Sequence, residues 1–279
     1  MDQNNPLKKY FRKPGIWVKL PSGGKYYDKP VTELNEMGEI PIYPMTAKDE
    51  LLLKNADGLL NGSALTQLIS SCAPCIPDPK NMPAIDVDAI LVAIRRSTYG
   101  AKMDITSTHD CEGAKETEYS IDINALIAGI KEVKDIPPVE LESGIKVYVR
   151  PITLKNILDL NWVQYEQIRA VQMAEQKKVS EEESMKIMQT GYEAISNASI
   201  KIVSNSIDTV QLPDGEAVND KAMILDWVLD LPRLDYGKLE ETIMTTNSQG
   251  IEKQLTLTCS ECGQTYKSPL DMNPTTFFA

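Results

Sequence analysis

Five cysteines and a single histidine are the side chains of this 279-residue chain best suited to chemistry. Four cysteines form two Cys-x-x-Cys pairs, Cys72-Ala-Pro-Cys75 and Cys259-Ser-Glu-Cys262, and the fifth, Cys111, follows His109 by two positions. The stretch Cys259-Ser-Glu-Cys262-Gly263-Gln-Thr-Tyr266 has the physics of a zinc knuckle. A strand delivers two thiolates on a tight turn, and Gly263 lets the backbone curl under the metal. Structural zinc takes four ligands, so two more must come from elsewhere in the chain. Two sources compete for that role. His109 and Cys111 would complete a Cys3His site with Cys259 and Cys262, although His109-x-Cys111 is one residue tighter than the usual spacing. Cys72 and Cys75 lie at a helix end, where burial as small apolar side chains explains them equally well. Free thiols throughout is the third reading. An odd cysteine count in a long chain suits thiols or metal better than a disulfide framework.

Other chemistry is scarce. The one histidine already belongs to a cysteine-rich turn, so no Ser-His or Cys-His pair stands out, and no glycine-rich loop has the phosphate-binding pattern. Pro21-Ser-Gly-Gly24 has the glycines but reads as a hairpin turn. Adjacent acids such as Asp49-Glu50 and Glu240-Glu241 point to different helix faces and read as solvated surface. Cys72-x-x-Cys75 lacks the strand-turn-helix setting of a redox motif. The expectation is a protein that is not an enzyme.

A net charge of -11 and a pI near 4.8 argue against a general phosphate-binding surface, because nucleic-acid affinity rests on Lys and Arg displacing counterions. A protein partner is the better expectation. Charge is unevenly placed: up to Tyr27 the chain carries Lys8, Lys9, Arg12, Lys13, Lys19 and Lys25 against the single acid Asp2. That segment reads either as a solvated tail or as an arm that docks on an acidic neighbour or on the chain's own body. The basic start is not followed by an apolar signal core, and Ala89–Ile94 is far short of a bilayer span. The chain therefore reads as soluble and intracellular when made.

The elements that must position the cysteines recur. Ile40-Pro-Ile-Tyr-Pro44-Met-Thr46 is echoed by Val147-Tyr-Val-Arg-Pro151-Ile-Thr153, each a short strand, a proline corner and a threonine placed to cap a helix. Later, Met103–Gly113 followed by Ile121-Asp-Ile-Asn124 is echoed by Leu255–Gly263 followed by Leu270-Asp-Met-Asn273. Two matched landmarks in the same order indicate an internal duplication. Pro44 to Pro151 is 107 positions and His109 to Cys259 is 150, so the second copy is 43 residues longer between the same marks.

Those extra residues fall in a long helical stretch. Thr153 caps a helix carrying Leu154, Leu158, Trp162, Tyr165 and Ile168, and Ser180-Glu-Glu-Glu183 is a capping box for another carrying Met188, Tyr192, Ile195 and Ile202. The fold class expected is α+β: two similar halves of strand hairpin, helices and knuckle, residues 16–135 and 136–279, behind a basic flexible arm at 1–15. The second half carries a helical hairpin at about 154–206. Its apolar stripe reads as the protein's own core or as a groove for a partner helix. Within the first half, Trp17–Leu20 and Lys25–Asp28 should pair as a hairpin, Gly58 and Gly62 should break the helix begun at Thr46, and Asp86–Tyr99 should bury one side through Val87, Ile90, Leu91 and Ile94.

Leu20-Pro-Ser-Gly-Gly-Lys-Tyr-Tyr27, Ile42-Tyr-Pro-Met-Thr-Ala-Lys-Asp-Glu50-Leu, Asp88-Ala-Ile-Leu-Val-Ala-Ile-Arg95-Arg-Ser-Thr-Tyr-Gly100 and the ending Cys259-x-x-Cys262, Pro269-Leu, Phe277-Phe278 resemble the baseplate hub assembly proteins of T-even-type contractile-tailed bacteriophages. Family members commonly show Cys-x-x-Cys at the first turn as well, where this chain has His109 and Cys111. The resemblance implies a non-enzymatic virion or assembly factor that helps build the baseplate hub in the host cytoplasm, with hub and tape-measure proteins as partners. Trp162, Tyr165, Met188, Tyr192 and Ile195 are the expected partner-binding residues. The alternative is a zinc-ribbon nucleic-acid or transcription-type adaptor, supported by the knuckle and the basic arm and opposed by the acidic charge.

Overall fold

The computed structural model describes residues 6–111, 113 and 115–278, so the first five residues of the basic arm and Glu112 lie outside the described residues. After a 3-10 turn at Pro6–Tyr10, strand β1 (Ile16–Lys19) pairs antiparallel with β2 (Glu39–Ile42), Ile16 opposite Ile42. Pro44 and Met45 turn the chain, and Thr46 caps α1 (Ala47–Leu53). A capping box fixes that start: Thr46 Oγ1 accepts from the Asp49 N–H, and Asp49 Oδ2 accepts from the Thr46 N–H at 2.7 Å. Helices α2 (Ala56–Leu60), α3 (Ser63–Cys72) and α4 (Ala84–Tyr99) follow.

Three sequence expectations are corrected in this half. Lys25–Asp28 is not a strand, because β1 takes β2 as its partner and the intervening loop is drawn onto α4. The carboxylate of Asp86 accepts from Ser22 N–H at 2.8 Å, Ser22 Oγ at 2.5 Å and Tyr27 Oη at 2.8 Å, and Tyr26 takes a positive φ of 65° in the turn between them. The first helix breaks at Lys54 and Asn55, not at Gly58: the Asn55 side chain accepts from the Gly58 N–H and restarts the helix as α2. Gly62 does form a joint, with φ 74°, and a Cβ there would fall 2.3 Å from Leu158 Cδ1. Helix α4 is buried nearly all round rather than on one side, with Ala89, Ile90, Leu91, Val92, Ala93 and Ile94 all inside. It is the axis of the first core.

Beyond α4, β3 (Lys102–Ser107) and β4 (Thr117–Asp122) form a hairpin that ends in α5 (Ile123–Ala128). Next come β5 (Val139–Glu140) and β6 (Lys146–Val149), hairpinned around Ser143-Gly144. Thr153 then caps α6 (Leu154–Lys177) with a box to Asn156 like that of Thr46 to Asp49. Ser180 caps α7 (Glu181–Ser206) the same way through Glu183. Strands β7 (Ile207–Gln211) and β8 (Ala217–Val218) complete a four-stranded antiparallel sheet in the order β5-β6-β7-β8. Helices α8 (Lys221–Leu229) and α9 (Arg233–Asn247), the hairpin β9 (Gln254–Thr258) and β10 (Thr265–Pro269), and α10 (Pro274–Phe277) close the chain. The fold is α+β.

Two apolar cores hold these elements. The first gathers Val18, Ile40, Leu68, Ile90, Ile94 and Leu154 together with Ile251, Leu255, Leu257 and Phe277 from the far end of the chain. The second is built from Val147, Val149, Val203, Ile207, Ile224, Val228 and Leu239. The chain's end is fastened by Arg95, whose Nη1 donates to the Phe277 carbonyl at 2.6 Å within the first core. A short seam forms where Ala84 N–H donates to Ile152 O at 2.8 Å and Leu154 N–H to Met82 O at 2.9 Å, so that α4 and α6 start side by side.

Burial pushes the Asp86 carboxyl up to about 6 from 3.8, against the pull of its hydrogen bonds from Ser22 and Tyr27. The folded chain therefore holds this proton over a range where the unfolded chain has lost it. Stability from this group is complete below about pH 3.8 and is lost as pH rises through about 6. Urea unfolding over that range should show wild type losing on the order of 3 kcal/mol relative to Asp86→Asn, which keeps the neutral shape. Parallel pH profiles for the two proteins would show that Asp86 does not carry the effect.

Candidate metal centre

The β3–β4 and β9–β10 hairpins pack against each other. Ser107 Oγ of β3 lies 2.9 Å from Ser268 Oγ of β10, and the hydroxyls of Tyr119 in β4 and Tyr266 in β10 meet at 3.4 Å with their rings edge to face. Each hairpin is also finished alike. Asp122 Oδ1 accepts from the Asn124 N–H at 2.9 Å, and Asp271 Oδ1 from the Asn273 N–H at 2.9 Å, so an Asx turn follows the second strand in both. The matched sequence landmarks thus correspond to matched geometry, and the packing sets both knuckle turns at one end of the pair.

At that end the ligand atoms of His109, Cys111, Cys259 and Cys262 all lie within 4.8 Å of one another. Cys111 Sγ is 3.9 Å from Cys259 Sγ, and Cys262 Sγ is 3.4 Å from His109 Nδ1. A tetrahedral zinc, at ~2.3 Å from sulfur and ~2.0 Å from nitrogen, separates its ligands by about 3.5–3.8 Å. Those two separations match it closely. The four residues form a cluster that could hold a metal ion, with three soft sulfurs and one imidazole as donors.

Local backbone explains how each turn serves. In the second knuckle Cys259 N–H donates to Gln264 O and Gly263 N–H to Cys259 O, both at 2.9 Å, and Gly263 takes φ 71° so the chain curls back beneath the sulfurs. In the first, Cys111 N–H donates to His109 O at 3.0 Å, a three-residue turn that folds Cys111 back beside the imidazole. That turn, with the longer reach of histidine, answers the tight spacing. The His109 ring lies against the Tyr266 ring with centroids 4.7 Å apart, which fixes its orientation. Sequence reading did not single out Tyr119, Tyr266, Ser107 or Ser268, for which strand alternation was the available signal.

Electrostatics at the cluster favours thiolate at Cys259 and the protonated thiol at Cys111. The Cys259 thiol is lowered to about 7, chiefly by N–H groups of Cys262 and Glu261 aimed at its sulfur, whereas Cys111 is pushed up to about 11 by loss of solvent and by the neighbouring sulfurs. Cys72 and Cys75 stand outside the cluster. Both are buried free thiols, raised by burial to about 12 and about 11 respectively, which is the behaviour of apolar packing residues.

The helical hairpin carries the other residues singled out from sequence. Trp162 is 41% exposed and stacks on Tyr165 at 5.9 Å; counting 100° per residue from Gln167, which bonds Ile187 O, both project from the side of α6 away from α7. Met188 and Tyr192 are exposed on α7, Tyr192 at 68%, and Ile195 is half-buried beside them. The helices approach closely at Gly191, where a Cβ would fall 1.7 Å from Gln167 Cδ.

Fold and site together define an α+β protein in which two β-hairpins meet at a sulfur-rich cluster and a long helical hairpin, α6–α7, stands between them in sequence. The chain belongs to the family described as T4 bacteriophage base plate protein, which matches residues 13–279. Neither the curated proteins nor the solved structures compared with it contain a match. Family membership gives it a structural or assembly role in the phage baseplate, among other baseplate proteins. No helix among the described residues is long and apolar enough to cross a membrane.

Cobalt(II) titration tests the cluster directly. One equivalent should saturate and give the intense visible bands of a tetrahedral thiolate site, unchanged in a Cys72→Ala/Cys75→Ala variant and weakened in His109→Ala or Cys262→Ser. Bands lost only in the Cys72/Cys75 variant would place the site elsewhere.

Proposed function

We propose that this protein helps build the baseplate hub by docking onto hub and tape-measure proteins, without catalysing a reaction, and that the His109, Cys111, Cys259 and Cys262 cluster holds structural zinc. The observation that carries the docking reading is the α6–α7 hairpin: two helices of 24 and 26 residues whose apolar side chains Trp162, Tyr165, Met188 and Tyr192 stand in solvent. Aromatic and methionine side chains exposed on long helices suit helical partners laid along them: Trp162 and Tyr165 form a patch on the outer side of α6, and Met188, Tyr192 and Ile195 form another on α7. The division into a first copy at 16–135 and a second at 136–279, preceded by an arm at 1–15, belongs to this reading. It is supported by the paired capping boxes and paired Asx turns.

Zinc is the metal that best suits three thiolates and an imidazole near tetrahedral spacing. Its role would be to lock the two hairpins together rather than to activate a substrate, since four protein ligands leave no open position. Assembly would take place in the host cytoplasm.

Two measurements test the proposal. Elemental analysis of protein purified without chelator should find near one zinc per chain, lost in Cys259→Ser, and metal-free protein would remove the zinc reading. Co-expression with hub and tape-measure proteins should yield a stable complex that Trp162→Ala/Tyr192→Ala weakens by roughly tenfold or more, as expected for loss of two aromatic anchors. Uncomplexed protein in every pairing would overturn the docking reading.

A further inference from the structure

The second core leaves an apolar pocket of about 210 Å³ between the β7–β8 hairpin and α8, lined by Val210, Leu212, Val218, Met223, Ile224 and Trp227. Its surroundings are acidic. Asp208, Asp214, Glu216, Asp220, Asp226 and Asp230 lie on the elements that form its wall, and the segment's one cation, Lys221, donates to the Ile207 carbonyl. A pocket of this kind fits an aromatic or aliphatic side chain carried on a basic segment.

The same chain has such a segment. Leu7-Lys-Lys-Tyr-Phe-Arg-Lys13 holds four cations and no acid, and its 3-10 turn sets Leu7, Tyr10 and Phe11 three and four positions apart, as anchors on one side of a helical turn are spaced. Tyr10 is 73% and Phe11 58% exposed. The root of the segment is fixed: Arg12 donates to Pro44 O and Ser71 O, both at 2.6 Å, and to Ser71 Oγ at 2.8 Å. That anchorage stands on elements of the first core, whereas the pocket belongs to the second. The segment is rooted on the first core, and it carries the charge and apolar groups that a pocket such as the one on the second core requires.

We propose that the Tyr10–Phe11 segment of one copy docks in the Met223–Trp227 pocket of a second copy, joining chains head to tail. Such a contact uses different surfaces on the two partners, so it closes into a ring or continues as a filament, unless two copies exchange segments as a pair. Its attraction is largely between exposed charges and weakens with salt.

Sedimentation velocity on the full chain over a concentration series tests this. Wild type should associate with concentration, less so as salt is raised from about 0.1 M to about 1 M, where the screening length falls from about 10 Å to about 3 Å. Phe11→Asp and Met223→Glu both alter exposed side chains. Each alone should weaken association at least about tenfold. Mixing the two variants should restore a one-to-one pair, because one supplies the intact segment and the other the intact pocket. A wild type that stays monomeric at every concentration overturns the proposal, whichever other protein the pocket receives. Association undiminished by either variant, or variants that fail to pair on mixing, overturns it as well.

Discussion

The first and larger core of this structure rests on holding together two hairpins that lie about 150 positions apart in the chain. Closing a loop of that length costs about 4 kcal/mol of chain entropy beyond a constant term. The return comes from apolar burial along the hairpins and from the knuckle turns at their tips. Met103, Leu255, Leu257 and Phe277 share one core, so the last strands of the chain finish the interior that β1, β2 and α4 begin. The second core is left to hold the four-stranded sheet and the helices behind it. The packing of the two hairpins completes the first core, and it also sets His109, Cys111, Cys259 and Cys262 side by side.

Local chemistry was readable in the sequence wherever a short motif sets its own geometry. Thr46, Thr153 and Ser180 begin helices because a hydroxyl three positions before a carboxylate or amide satisfies two stranded N–H groups. Cys259-x-x-Cys262-Gly263 forms its turn because only a few backbone paths fit that spacing, and the extra helical pair emerged from counting between matched landmarks. What could not be read was tertiary choice. Lys25–Asp28 has strand-like residues, yet Asp86, some 60 positions on, draws Ser22 and Tyr27 away from any ladder. Asn55, with its ability to restart a helix, outweighed the glycine three residues later.

The candidate metal ligands illustrate the same division. Each half-site had its own signal, but the choice between His109/Cys111 and Cys72/Cys75 depended on which hairpin faces which. Contacts such as Tyr119 to Tyr266 and Ser107 to Ser268 decide it, and they leave no mark in the sequence beyond alternation. Arg12 escaped notice for a related reason: a lysine-rich tail hides the one cation whose planar, multidentate head can bind two carbonyls and a hydroxyl at once.

The helical hairpin has its feet in different places. Helix α6 starts at the seam, with Leu154 in the first core and Leu158 close against Gly62, while α7 ends in the second core through Val203 and runs directly into β7. At 1.5 Å per residue the pair reaches roughly 35 Å from root to tip. It is a lever with one foot on each body. A pull at the turn around Lys178 acts with the full length of that arm on the junction between the cores, so whatever grips the tip gains mechanical advantage over how the two cores are set against each other.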